Sequence, residues 1–142
     1  MVRRLAAWFC LALLLADVAV AGERTRVAVI VHPDRQEPLD VASVASIFLR
    51  KRRFWDDGTP IIPLNREAGS KLRETFSRLV FGVGSTQLAI YWNEQYFHGT
   101  LPPATLSSSE AMRRFVAQER NAIGYVEAEA VDSSVRKALI LD

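Results

Sequence analysis

The chain has 142 residues, 49% of them hydrophobic, and its 18 Lys and Arg nearly balance 16 Asp and Glu, for a net charge of +2. That balance excludes the dense cationic footprint of a nucleic-acid-binding domain. The one cysteine, Cys10, excludes a disulfide framework and a thiolate metal site.

The chain opens MVRRLAAWFCLALLLADVAVAGE. Arg3 and Arg4, the apolar run Leu5 to Ala16 and the small residues at 19–21 predict a secretory signal peptide over residues 1–21, cut after Ala21. The run is short for a membrane-spanning helix and is broken by Asp17, so no membrane insertion is expected once it is removed; the alternative is an uncleaved anchor. Cys10 leaves with this segment and lacks the Leu-small-small lead of a lipoprotein. Residues 22–142 then form a single domain, large enough for one real core. With Arg3, Arg4 and Asp17 gone, its net charge is +1. Export and a cysteine-free, Arg-rich composition place it in a bacterial periplasm.

RVAVIVHP at 26–33 is an apolar, β-branched run that reads as a buried strand. Asp40 caps a helix through Arg50, with Val41, Val44, Ile47 and Phe48 on one face. RKRR at 50–53 reads as a solvated helix end, the alternative being a binding patch, and WDDGTP at 55–60 as a turn about Asp57-Gly58. IIPL at 61–64 is a second strand that Pro63 pushes toward an edge. A helix follows from Ser70 to Phe81, striped by Leu72, Phe76, Leu79 and Val80. Ser85 or Thr86 starts another, with Leu88, Tyr91, Trp92 and Tyr96 inward, and Gly99 ends it. GTLPPATLSSSE reads as a loop. Ser107 and Glu110 have capping-box spacing, so a helix runs from Ser108 to Gln118 with Met112, Phe115 and Val116 in the core. Asn121, in a left-handed conformation, closes it. NAIGYVEA at 121–128 and KALIL at 137–141 are the last strands. The order β-α-β-α-α-α-β-β implies an α/β layer structure with a mainly parallel sheet.

No catalytic constellation stands out. His32 and His98 are far apart, there is no zinc spacing, no G-x-S-x-G and no P-loop, and Asp56-Asp57 sits in a turn. The chain is therefore read as a non-enzyme, with no metal and no cofactor. NREAGSKLRETF at 65–76 is different. A loop leaving a strand and entering a helix points backbone N–H groups at the helix N-terminus, which favours an anion. Ser70 offers a hydroxyl and an N–H, Lys71 its amide, and Arg66 a bidentate fork. The competing reading is a self-capping Ser70 and an Arg66 paired with Glu67 or Glu74.

Two segments, ASIFLRKRRFWDDGTPIIPLNREAGSKLRETF and EAMRRFVAQERNAIGYVEAEAV, resemble the phosphate-binding proteins of bacterial phosphate ABC transporters. The matches are Ile47, Phe48, Lys51, Trp55, Asp57 and Gly58, then Arg66, Ser70 and Phe76, then Ala122, Ile123, Gly124 and Tyr125. The resemblance covers about Val27 to Leu141. It implies a type 2 periplasmic-binding fold, whose two α/β lobes close on an oxyanion, and Arg66, Ser70 and Lys71 as ligand-binding residues for phosphate. The departures are Arg50 where the family has Gly, and Lys71 and Leu72 where its binding turn has Gly and Thr. At this length the chain is expected to be a single three-layer lobe, which supplies half a shell unless two chains pair as a homodimer. The resemblance implies weak oxyanion binding and an ABC transporter or an envelope sensor as partner. The alternative is an interaction or sensory module that keeps the fold without the affinity. Trp55, Phe76, Trp92 and Tyr125 are expected to be core residues.

Overall fold

The computed structural model describes residues 24–142, so the signal-peptide reading of residues 1–21 lies outside the described residues. β1 (Val27–Val31) is buried at every position, as an uninterrupted apolar run requires. Its alternate side chains enter different cores, because successive strand residues face opposite sides of a sheet. Val27, Val29 and Val31 meet Val44, Ile47, Phe48, Leu72, Phe76 and Tyr125. Ala28 and Ile30 meet Leu64, Met112, Val116 and Val126. These two cores make the three layers. α1 (Val41–Phe48) and α2 (Lys71–Phe81) cover one face, and α4 (Ser109–Gln118) covers the other.

The sheet runs β3-β2-β4-β1-β5, with β2 at Ile62–Arg66, β3 at Ala104–Leu106, β4 at Ala122–Glu127 and β5 at Arg136–Leu141. β2 is parallel to β3 and β4, whereas β1 is antiparallel to both β4 and β5. The sheet is thus mixed, not mainly parallel. A fully buried strand is apolar throughout and reads alike in either direction, so its direction comes from the connections alone. β3 corrects the reading of 99–110 as loop. Pro63 lies inside the sheet rather than at its edge. Ile62 N–H donates to Asn121 O (2.9 Å), so the next backbone nitrogen, that of Pro63, faces the β3 side. There the ladder begins only at Leu64 and needs no donor from Pro63.

The helices start as their caps dictate. Asp40 accepts from Ser43 N–H (2.7 Å), Ser70 from Arg73 N–H (3.4 Å) and Ser108, rather than Ser107, from Ala111 N–H (3.0 Å). Gly82 ends α2 at φ 72°. Two apolar positions expected inside, Val41 and Phe115, are exposed. α3 (Ser85–Phe97) departs furthest: none of its residues is buried. It rests on α2 rather than on the sheet. Leu88, Tyr91 and Trp92 are therefore only half-buried and Tyr96 is exposed. Tyr91 tethers the helix by donating to Leu49 O (2.9 Å).

α1 stops two residues earlier than expected because Arg50 turns left-handed, at φ 62°. The resemblance has glycine at this position, and only glycine adopts that conformation without steric cost. The Arg50 Nε is also buried without a partner. Arg50→Gly is expected to raise stability by about 0.5–1 kcal/mol, roughly 2–4 °C in Tm. Thermal unfolding followed by circular dichroism checks this, and a lowered Tm would show that Arg50 packing outweighs the strain.

The turn at 55–60 is pinned from within. Arg35 is only 4% exposed, and every face of its guanidinium is used. Nε donates to Arg120 O (3.1 Å), Nη1 to Asp57 Oδ2 (2.9 Å), and Nη2 to Thr59 Oγ1 (2.7 Å) and Asn121 Oδ1 (2.6 Å). The cation also lies 4.6 Å from the centre of the Trp55 ring. Asn121 is not left-handed. Instead it receives Arg35, and its carbonyl accepts from Trp55 Nε1 (3.0 Å).

Candidate functional site

β2 and β3 end side by side, with Arg66 opposite Leu106. Glu67 N–H continues the pairing by donating to Leu106 O (3.2 Å). From these adjacent carboxyl ends the chain enters two helices, α2 through residues 67–70 and α4 through residues 107–108. Gly69 makes the first of these turns at φ 84°, and Ser70 N–H closes it on Glu67 O (3.3 Å). Two helix N-termini therefore flank one point, and Arg66 stands at it.

Arg66 is fixed from the core outward. Its N–H is shared between Asn65 Oδ1 (3.0 Å) and the Tyr125 hydroxyl (3.1 Å), and that hydroxyl donates in turn to Asn65 Oδ1. The Tyr125 ring is buried and stacks on Phe76, 3.8 Å between centroids and 3° between planes. Burial pushes the Tyr125 hydroxyl up to about 12, against the opposing effect of its bond from Arg66 N–H. Tyr125 is thus expected to stay protonated through pH 10 and to ionise only near pH 12. A raised pKa means stability is full below the unfolded value and is lost as pH rises through the folded one. Alkaline unfolding should fall in that window and shift in Tyr125→Phe, as ultraviolet difference titration would show.

The Arg66 side chain reaches across to α4. Nη1 donates to Ser109 Oγ (2.8 Å) and Nη2 to Ser107 O (3.2 Å). The Ser109 hydroxyl donates to Glu127 Oε2. The Arg66 Nε is buried and has no partner. Arg73 closes the other side, its Nη1 donating to Arg66 O (3.1 Å). Beside the same loop lies a depression of about 320 Å³ lined by Ala68, Gly69, Arg73, Ser85, Thr86 and Ala89.

Among the residues singled out from sequence, Arg66 stands between the two helix starts, Ser70 spends its hydroxyl on capping α2, and the Lys71 side chain is exposed. Arg66 pairs with neither Glu67 nor Glu74. Glu74 instead accepts from Ser85 N–H (3.0 Å) and Ser85 Oγ (2.7 Å) and pairs with Arg78 (2.9 Å). The Ser85 donors hold its carboxyl below the usual range. Sequence reading missed Ser107, Ser109 and Glu127. The available signal was that ATLSSSE repeats the strand-loop-helix pattern of the 65–72 loop, and it was spent on a helix cap.

The fold matches solved structures of phosphate-transport proteins. An ABC-type phosphate transport receptor from Vibrio cholerae superposes with a TM-score of 0.64 at 19% identity, over 80% of this chain and 46% of that one. A putative phosphate ABC transporter substrate-binding protein with bound phosphate from Clostridium perfringens gives 0.62 at 24%, over 80% and 44%. PstS from Borrelia burgdorferi gives 0.59 at 13%, over 83% and 47%. The chain therefore has the substrate-binding-protein fold and spans about half the length of these proteins. No protein-family model and no curated protein matches it.

Proposed function

We propose that this chain is a periplasmic solute-binding-protein-like lobe that takes phosphate or a related oxyanion weakly at the exit of β2. The observation that supports this reading is Arg66, placed where the N-termini of α2 and α4 flank one point. Helix N-termini leave their first N–H groups without intrahelical partners, and the aligned dipoles favour negative charge there. Arg66 uses one N–H each of Nη1 and Nη2 on Ser109 and Ser107, so each nitrogen retains a second for a ligand. Ser70 contributes the turn and cap that orient the α2 amides, and Lys71 an exposed cation.

Two features argue for weakness. Leu72 lacks the hydroxyl of the threonine it replaces, and Glu127 brings a carboxylate within one hydroxyl of Arg66. One lobe offers half a shell, so a Kd near 1 mM, about −4 kcal/mol, is the expected scale. Two copies facing each other would complete the shell, and a transporter or envelope sensor would read the loaded state.

Isothermal titration with phosphate, alongside mass in solution, tests this. Arg66→Ala is expected to remove the phosphate-dependent rise in Tm. It should also lower ligand-free stability by about 1 kcal/mol, through the bonds to Ser107 and Ser109. No heat and no Tm shift at millimolar phosphate in the unaltered chain would sink the reading.

A further inference from the structure

At the entry end of β2, Ile61 N–H donates to Arg53 O (2.9 Å). There the loop at 50–54 is joined to the end of α3 by a hydrogen bond from Arg53 Nη2 to Thr100 Oγ1 (3.1 Å). Around this bond three large apolar side chains stand in solvent: Phe97 at 87%, Leu101 at 62% and Phe54 at 58%. Single exposed apolar residues are ordinary, but three on two joined segments form a patch that calls for a partner. Lys51 and Arg53 beside them are exposed, and among the described residues neither makes an ion pair. The acids on this side, Glu37 and Asp56, are held by Arg52 at 3.0 and 3.2 Å. From Leu79 to Ser109 the sole acidic or Lys/Arg side chain is Glu94.

We infer that this patch is a peripheral docking surface for an anionic bilayer. Phe97, Leu101 and Phe54 enter the interfacial layer while Lys51 and Arg53 meet lipid phosphates, and among the described residues no helix is long and apolar enough to cross a membrane. Charge decides the occupant. A two-fold contact between copies centred on Phe97 would bring the two sets of unpaired cations together, with only Glu94 and the Arg52-paired Asp56 to receive them. A fluid interface also accepts side chains that protrude this far, whereas a rigid partner would need a pocket for each. The inference stands apart from the oxyanion reading, since Arg66 lies at the other end of β2.

The test is co-sedimentation of the full chain with vesicles of phosphatidylethanolamine and phosphatidylglycerol, against vesicles of phosphatidylcholine alone, at two salt concentrations. The unaltered chain should bind the anionic vesicles selectively. Phe97→Ser/Leu101→Ser and Lys51→Gln/Arg53→Gln should each lower the partition coefficient about tenfold. Far-ultraviolet circular dichroism should be unchanged, because all four side chains are exposed. Three results would overturn the inference: no vesicle binding, equal binding to neutral vesicles, or variants that bind as the unaltered chain does, which would place adsorption elsewhere, such as Leu5 to Ala16. A concentration-dependent dimer abolished by Phe97→Ser/Leu101→Ser would overturn it too, making the face a self-interface.

Discussion

Arg35→Ala is expected to lower the unfolding free energy by about 3–5 kcal/mol, the range for removing one partner of a buried charged network. With a urea m-value near 2 kcal/mol/M, the midpoint should fall by about 2 M. The argument rests on what is left behind. Asn121 Oδ1, Arg120 O and Thr59 Oγ1 lose donors at 2.6, 3.1 and 2.7 Å, and the Trp55 face loses its cation. Asp57 keeps partial access to water at 40% exposure, which limits its share of the cost. Arg35→Lys should recover little, because an ammonium cannot present the planar fork that reaches four acceptors. A loss under 1 kcal/mol in Arg35→Ala would show that the turn at 55–60 stands without its anchor.

The same network carries a pH signature. Asp57 is held down to about 2, first by the Thr59 hydroxyl and N–H and then by Arg35. A depressed carboxylate contributes stability that is present above the unfolded value near 3.8 and is lost as pH falls through the folded one. The stability gap between the unaltered chain and Asp57→Asn should therefore be constant above about pH 4 and close between pH 4 and 2.

Arg35 also marks the limit of what the sequence showed. Apart from Glu37 at 3.5 Å, its partners lie 20 to 86 residues away, and no local pattern links them. Trp55, Asp57 and Gly58 were legible as a motif, but their work here is to hold a turn, with Arg35 as the missing member. Elements governed by nearest neighbours were read well. β1 is an apolar run, α2 is bracketed by Ser70 and Gly82, and α4 opens on a serine cap. What failed depends on distant packing. The direction of β1 is set by where β4 and β5 land. α3 has inward spacing, yet its floor is α2 rather than the sheet. β3 is three residues long between Pro103 and three serines, too short for period-two alternation to declare itself. Arg66 was legible as the cation at the exit of β2. Its bonds to Ser107 and Ser109 depend on β3 pairing beside β2, so they were invisible without that strand.

Gly124 was read as part of a family-like segment, and its role is one of space. Gly124→Ala is expected to cost about 3 kcal/mol, the upper part of the range for overpacking a buried core. A Cβ built there would overlap Met112 Sδ and lie 3.0 Å from Met112 Cγ. Met112 is fully buried between α4 and the sheet, so its flexible thioether can give way only by pressing on its packed neighbours. The methyl must therefore lift α4 from β4. That would strain the strand leading to Glu127 and the helix start at Ser109, the two groups behind Arg66. Met112→Ala alone should cost about 2–5 kcal/mol as a cavity. The pair Gly124→Ala/Met112→Ala should fall short of the sum of the singles by at least about 1 kcal/mol, because the new methyl then fills the space vacated by the thioether. Urea unfolding of the four proteins measures this coupling. Strict additivity would mean that Gly124 is needed for its backbone and not for the approach of α4.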